Sequence, residues 1–308
     1  MSAARASRPR RRLRLLAAFA AVYLFWGSSY LASRVGVLHL PPLLFAGTRF
    51  IAAGLIMLLI ARLLGARVQP AGREWRDLAV LALLAFVISN GLSIWALQWL
   101  PSNQAALLNV SAPLWIVLLG AFGTRGHRPG RRELAGLLLG FLGTALVIRP
   151  SGAASLGAGL VPPAAVLLAC LSWAVATLYL RSVAPRMAVQ TLIGWQMLLG
   201  GCGLSLAGLV RGEATAWHLS WTGALALAYL VVFASCLAHT AYAWLALRTS
   251  PTSLGTYAYV NPLIATLLGW WILQERLTPL QLTGMPIVLG GVLLINWPFR
   301  RRSSPERP

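Results

Sequence analysis

The chain has 308 residues, of which 58% are apolar and only 10% are charged, and its formal net charge is +20. So large an apolar share excludes an ordinary soluble domain. The positive charge consists entirely of arginine, and its placement along the chain decides whether it indicates nucleic acid or a membrane surface.

Apolar runs of about 18 to 25 residues recur from end to end, the length that a helix needs to cross a bilayer. Because backbone polar groups must be paired inside lipid, we expect these runs to be helical. The predicted fold class is all-α, a polytopic membrane protein with ten transmembrane helices. The predicted spans are 15–37, 43–64, 78–100, 104–122, 134–148, 161–180, 189–210, 221–247, 253–273 and 280–297.

The arginines lie at alternate ends of the predicted spans. With the N-terminus inside, the inner segments and adjoining span ends hold 21 arginines, and the outer loops hold three, Arg149, Arg211 and Arg276. This asymmetry predicts a multi-pass membrane protein with both termini in the cytoplasm. The charge then contacts anionic lipid, and no nucleic-acid partner is expected.

The two halves of the chain resemble each other at offsets of 147 to 149 residues. The matched pairs include Trp26/Trp173, Gly47/Gly194, Gly54/Gly201, Arg49/Gln196, Asn90/His239, Pro113/Pro262, Gly136/Gly284 and Gly143/Gly291. They predict a basic tail at 1–14, a first five-helix repeat at 15–149, a linker at 150–160, a second repeat at 161–297 and a tail at 298–308. Since five is odd, the second repeat would be inverted, which is the structural basis of alternating access.

The pattern resembles the drug/metabolite transporter superfamily, specifically its EamA-type ten-helix members. The features that carry the likeness are Trp26-Gly27-Ser28-Ser29-Tyr30, Arg49, Ser111-Ala112-Pro113, the glycines of 136–143 and the second-half counterparts of these residues. The segment 256–262 is similar to the corresponding segment of a YedA-like branch of the family. The resemblance implies transport across the bacterial inner (plasma) membrane, usually export, of small metabolites, amino-acid-like compounds or drugs through a central cavity. One departure is that Gly123-Thr124 stands where many members have Gly-Glu.

Two ionisable side chains within the spans are candidate functional groups. Arg49 either anchors a substrate carboxylate or phosphate, or bonds backbone carbonyls and snorkels outward. His239 either carries protons, which makes the proton the candidate coupling ion, or is simply hydrogen-bonded between helices. Glu275 is interpreted as part of a salt bridge with Arg276 or as a helix-end residue, with proton coupling as the alternative.

Aromatic and amide side chains at repeat-related positions are candidates to line the cavity, although packing or an interfacial belt is the alternative. Proline frees a backbone carbonyl and either bends a helix permanently or allows it to hinge. The predicted substrate-binding residues are Trp26, Tyr30, Arg49, Asn90, His239, Tyr257 and Asn261, and the predicted hinges are Pro113 and Pro262.

The rival class is an integral-membrane enzyme that modifies lipid. Such an enzyme needs an acidic cluster, metal ligands or a nucleophile–base pair, and the spans contain no such pattern. Cys170, Cys202 and Cys236 lack paired spacing and are interpreted as packing residues. We therefore expect no enzyme activity, no metal and no cofactor, with a small molecule and the lipid bilayer as partners.

Overall fold

The computed structural model describes residues 3–121, 130–147, 159–183, 187–246, 248–249 and 256–296, which are helical with no strand among them. The predicted all-α class is confirmed. The helices are α1 Ala3–His39, α2 Pro42–Leu63, α3 Gly72–Ala96, α4 Ser102–Ala121, α5 Arg131–Val147, α6 Val161–Val183, α7 Val189–Val210, α8 at 221–246, α9 Tyr257–Leu273 and α10 Pro279–Asn296.

Seven of these helices are long and apolar enough to cross a membrane: α1 from Arg12, α2, α3, α4, α6, α7 and α8. The helices α5, α9 and α10 have 17 or 18 residues, and each adjoins residues outside the described ranges. A polytopic membrane protein is therefore confirmed, whereas the count of ten crossings stays a prediction.

Two boundaries differ from the predicted spans. Helix α1 begins at Ala3, so the basic tail is part of the first helix as far as the structure describes it. Helix α3 begins at Gly72 and not near residue 78, because the Glu74 carboxylate accepts a hydrogen bond of 2.7 Å from the Ala71 backbone N–H and so caps a polar first turn. The predicted linker, except for its last two residues, and the predicted tail at 298–308 lie outside the described residues.

Helices α3 and α8 each contain a π-helical segment that the sequence analysis did not predict. The segments are Ala82–Asn90 in α3 and Leu230–Leu237 in α8. They occupy the third helix of each predicted repeat, about 148 residues apart. Single π-helical turns are rare and often occur at functional sites.

Helices α2 and α7 approach each other through glycines. A Cβ atom added at Gly47 would lie 2.9 Å from the Gly201 carbonyl oxygen, and one added at Gly54 would lie 2.8 Å from that of Gly194. The earlier glycine of α2 contacts the later glycine of α7, and the later one contacts the earlier, so the two helices run antiparallel. Because Gly47 matches Gly194 and Gly54 matches Gly201 in the sequence repeat, the two contacts are equivalent to each other under exchange of the halves.

Helices α5 and α10 pack in the same reciprocal manner. A Cβ atom added at Gly136 would lie 2.8 Å from the Gly291 carbonyl oxygen, and one added at Gly284 would lie 2.9 Å from that of Gly143. The remaining contacts follow the same exchange: α1 packs on α8 and α9, and α6 packs on α3 and α4. The halves thus meet along surfaces that each half contributes equally.

Candidate functional site

A cavity of about 190 Å³ lies among seven helices of both halves. It is lined by Trp26, Ser29, Tyr30, Ser33, Arg49, Ser89, Asn90, Ser93, Ile94, Leu97, Asn109, Ala112, Trp173, His239, Tyr257 and Asn261. All seven residues predicted to bind substrate are in this set. The structure therefore brings the candidates together, and their binding role is a proposal taken up below.

Arg49 projects from α2 into this cavity and is only 6% exposed. Its Nε donates a hydrogen bond of 3.0 Å to the Ser235 hydroxyl on α8, and its Cζ lies 4.7 Å from the centroid of the Phe50 ring. Among the described residues Arg49 has no carboxylate partner and no hydrogen bond to a backbone carbonyl. This buried position does not fit the alternative in which the Arg49 side chain snorkels outward to the membrane surface.

His239 and Asn90 make equivalent hydrogen bonds in the two halves. The His239 Nδ1 lies 2.9 Å from the Ala234 carbonyl oxygen, and the Asn90 Nδ2 lies 2.7 Å from that of Ala85. Each side chain donates to the carbonyl five residues earlier, inside or at the end of a π-helical segment. Since a carbonyl can only accept, His239 carries a proton on Nδ1, and its Nε2 is the atom available to exchange protons.

Trp26 is the centre of an aromatic cluster at one wall of the cavity. Its ring centroid lies 5.0 Å from those of His239 and Tyr242 and 5.3 Å from that of Tyr257. The Trp26 Nε1 donates to the Ala234 carbonyl oxygen over 3.1 Å, so α1 is tied to the π-helical segment of α8. These contacts hold the rings in place, which suits them to stack against an apolar ligand.

Asn261 lies where the main cavity meets a smaller one of about 30 Å³. The Asn261 side chain is 5% exposed, and its Oδ1 has no hydrogen-bond partner. Pro113 and Pro262 both line the smaller cavity. Helix α4 is interrupted at 110–111, just before Pro113, whereas α9 continues through Pro262, so the two predicted hinges have different local structures.

The sequence analysis missed several polar residues of the cavity. They are the serine pairs Ser29/Ser33 on α1 and Ser89/Ser93 on α3, together with Asn109 and Trp173. The serines are four residues apart, so each pair lies on one helix face. That spacing, next to predicted site residues on the same helices, was a signal in the sequence. Trp173 was already identified as the repeat partner of Trp26.

Glu275 lies outside the cavity and joins α4 to the connection between α9 and α10. Its carboxylate accepts hydrogen bonds of 2.7 Å from both the N–H and the hydroxyl of Ser102, and one of 3.1 Å from the Asn103 N–H. No ion pair with Arg276 is present among the described residues. The predicted salt bridge is therefore wrong, because the free N–H groups at the start of α4 attract the carboxylate instead.

In the part of the chain that the structure describes, no three His, Cys, Asp or Glu side chains lie close enough together to hold a metal ion. The arrangement instead offers one cation, neutral donors and acceptors, and aromatic faces around a small volume. Such a site can bind a small amphipathic molecule and offers no obvious set of groups for bond cleavage.

Comparison with known proteins agrees with this description. The model of the EamA-like transporter family matches the chain twice, at residues 13–149 and 163–297. The chain is 31% identical over 289 residues to the uncharacterized inner membrane transporter YedA of Escherichia coli (strain K12), covering 93% of this chain and 92% of that protein. It is 28% identical over 297 residues to the uncharacterized transporter YvbV of Bacillus subtilis (strain 168), with coverage of 94% and 92%.

A solved crystal structure resembles the fold with a TM-score of 0.65 and 22% sequence identity, covering 92% of this chain and 96% of that one. At that identity the likeness concerns the fold alone. The family model and the YedA relative extend over nearly the whole chain, and the cavity lies among helices of both matched segments. This protein belongs to the EamA-like transporter family.

Proposed function

We propose that this membrane transporter moves a small amphipathic metabolite by alternating access, with the 190 Å³ cavity as its substrate site. The observation that carries the proposal is the cavity's position: its walls come from α1–α4 of one half and from α6, α8 and α9 of the other. A site between two units can be opened to either side when the units rock against each other.

The two units are inverted repeats in this proposal. Its support is the reciprocal glycine contacts of α2 with α7 and of α5 with α10, which pair matched helices in antiparallel orientation. Helices related by a two-fold axis in the membrane plane must run in opposite directions. The double match of the family model, at 13–149 and 163–297, supports the same duplication.

The described conformation has its cavity displaced toward the end of α1 that bears His39, where Ser33 and Leu97 line it. On the other side of Trp26, the Tyr23 hydroxyl and the Thr256 hydroxyl are 2.5 Å apart and link α1 to the start of α9. With both termini cytoplasmic, as the arginine distribution predicts, the link between Tyr23 and Thr256 closes the cytoplasmic side in this proposal. The family resemblance favours export.

His239 is the proposed route for proton coupling. It lies on the cavity wall, its Nδ1 is engaged with Ala234, and Nε2 remains to take up and release a proton. Asn90 holds the equivalent position in the other half without a titratable group. Protons would therefore be coupled through one half only.

The test is a screen followed by a transport assay. Purified full-length protein is screened for thermal stabilisation by small metabolites, and each stabilising compound is assayed for counterflow in proteoliposomes. We expect counterflow of at least one such compound that is absent from empty vesicles. Turnover of a lipid or its headgroup without movement of any solute would overturn the transport proposal in favour of the membrane-enzyme class.

A further inference from the structure

We infer that the cavity takes a small organic monoanion, a carboxylate on an apolar or aromatic body, in preference to a zwitterion or a cation. The inference rests on the proposed function and narrows its substrate class. It is carried by the charge balance of the cavity wall, by the groups that surround Arg49, and by the volume available.

The first step concerns the charge of Arg49. A guanidinium inside a membrane span costs several kcal/mol unless a partner or water compensates for it. Here the compensation within the described residues is one hydrogen bond to Ser235 and the face of the Phe50 ring. The described ion pairs, Arg67–Glu74 and Arg76–Asp77, lie elsewhere. The planar guanidinium has five N–H donors, and only Nε is engaged, so the Nη groups can bind a carboxylate.

The second step concerns the sign of the rest of the wall. None of the described residues that line the cavity is acidic. A ligand ammonium would therefore meet one fixed positive charge and no negative one. The unpartnered Oδ1 of Asn261 can accept a hydrogen bond, but one neutral acceptor does not offset the cost of transferring an ammonium out of water.

The third step concerns the hydroxyl groups. Ser33 and Ser89 are 5% and 7% exposed, both line the cavity, and neither side chain has a hydrogen bond within the described part of the chain. A hydroxyl can donate to a carboxylate oxygen, and such charge-assisted bonds are stronger than neutral ones. Arg49 and these serines thus add hydrogen-bond donors to the same cavity that the aromatic cluster of Trp26 lines.

The fourth step concerns size. The cavity has a volume of about 190 Å³. Pockets for drug-sized ligands are larger, about 300–1,000 Å³. The fit is therefore to one ring or a short alkyl chain with a single carboxylate.

The experiment uses four probes with one phenylalkyl body and different charges: 3-phenylpropionate, 3-phenylpropanamide, phenylalanine and 3-phenylpropylamine. Binding to the purified full chain is measured at pH 7 by calorimetry. We expect the anion to bind more tightly than the neutral amide by on the order of tenfold to a hundredfold, the range for a hydrogen bond to a charged group. Equal or tighter binding of the zwitterion or the cation, or no binding of the anion, would overturn the inference.

Variants assign the preference to Arg49. Arg49→Gln should remove the advantage of 3-phenylpropionate over the amide, whereas Arg62→Gln, an exposed arginine of the same helix, should leave it unchanged. If Arg49→Gln does not fold, Ser235→Ala replaces it, since loss of the Nε anchor should reduce the preference while the charge remains. An undiminished preference in the folded Arg49 variant, or in Ser235→Ala when that variant stands in for it, contradicts the inference.

Counterflow in proteoliposomes separates this inference from the transport proposal. Movement of the amine or of phenylalanine, but not of the anion, would leave transport standing and overturn the monoanion class. Binding of the anion at Arg49 without any counterflow would support the site and contradict transport. Counterflow of 3-phenylpropionate that Arg49→Gln abolishes and Arg62→Gln preserves supports both.

Discussion

The Ala234 carbonyl oxygen connects two side chains of the site. It accepts from Trp26 Nε1 over 3.1 Å and from His239 Nδ1 over 2.9 Å. Both rings are thereby fixed relative to α8, and Trp26 transmits that position to Tyr257 on α9. A substitution at His239 must therefore keep a donor at this carbonyl if it is to test protonation and not packing.

Asparagine meets that requirement, because Asn90 makes the equivalent bond to Ala85 in the other half. We expect His239→Asn to abolish pH-driven flux in proteoliposomes while substrate binding changes less than about threefold, a difference of roughly 0.7 kcal/mol. The exposed His218→Asn is the control and should behave like the parent protein. Unchanged pH dependence in His239→Asn would remove histidine from the coupling mechanism.

Packing of the helices of one half against those of the other depends on glycine. Along α2 and α7, backbone atoms occupy the positions where side chains would begin. Small residues of this kind let transmembrane helices approach closely, which strengthens their van der Waals contact. The same glycines are those that the sequence repeat matched, so pairing between equivalent helices explains why they stand at those positions.

We expect Gly54→Ala to lower the stability of the protein in detergent by about 1–3 kcal/mol, the cost of overpacking a close contact. The new Cβ would lie 2.7 Å from the Leu198 backbone nitrogen. Gly290→Ala is the matched control, since nothing lies within 4 Å of a Cβ at that position. That control should be neutral or stabilising by up to about 1 kcal/mol. Thermal unfolding followed by intrinsic fluorescence measures both, and equal melting temperatures would contradict the packing assignment.

The first turn of α4 is capped by a carboxylate from the other half of the chain. We expect Glu275→Gln to destabilise the protein by about 1–2 kcal/mol, as loss of a helix cap does, because two backbone N–H groups lose a charged acceptor. Arg276→Gln should have little effect, since Arg276 forms no ion pair with Glu275 within the described residues. The reverse order of the two melting temperatures would favour a salt bridge over a cap.

Orientation in the membrane is a property of the whole molecule. We expect reporters fused after residue 308 or inserted at Arg73 to be active in the cytoplasm, and one inserted at His218 to be active outside. The reason is that arginines concentrate at one set of span ends. A reporter at His218 with the same activity as the one at residue 308 would contradict the topology, and with it the assignment of the Tyr23–Thr256 link to the cytoplasmic side.

The sequence alone was enough to predict the all-α fold class, most of the helices and the seven candidate residues that line the cavity. Apolar length and alternating arginines are properties of local segments, so they can be read without knowing what packs where. Matching the two halves of the sequence paired Asn90 with His239. In the structure these two side chains make equivalent hydrogen bonds. The capping of α3 by Glu74 also depends on residues that are neighbours in sequence. Those residues precede the apolar run from which the start of α3 was predicted.

Which of these residues come into contact, and which hydrogen-bond or ion-pair partners each one has, depends on the tertiary structure. Arg49 became a donor without an anion because α8 supplies Ser235, and no acid, from 186 residues away. Glu275 became a cap because the start of α4 lies 173 residues from it in sequence and next to it in space. Such features follow from pairings between distant helices, which hydropathy and spacing along one chain do not encode.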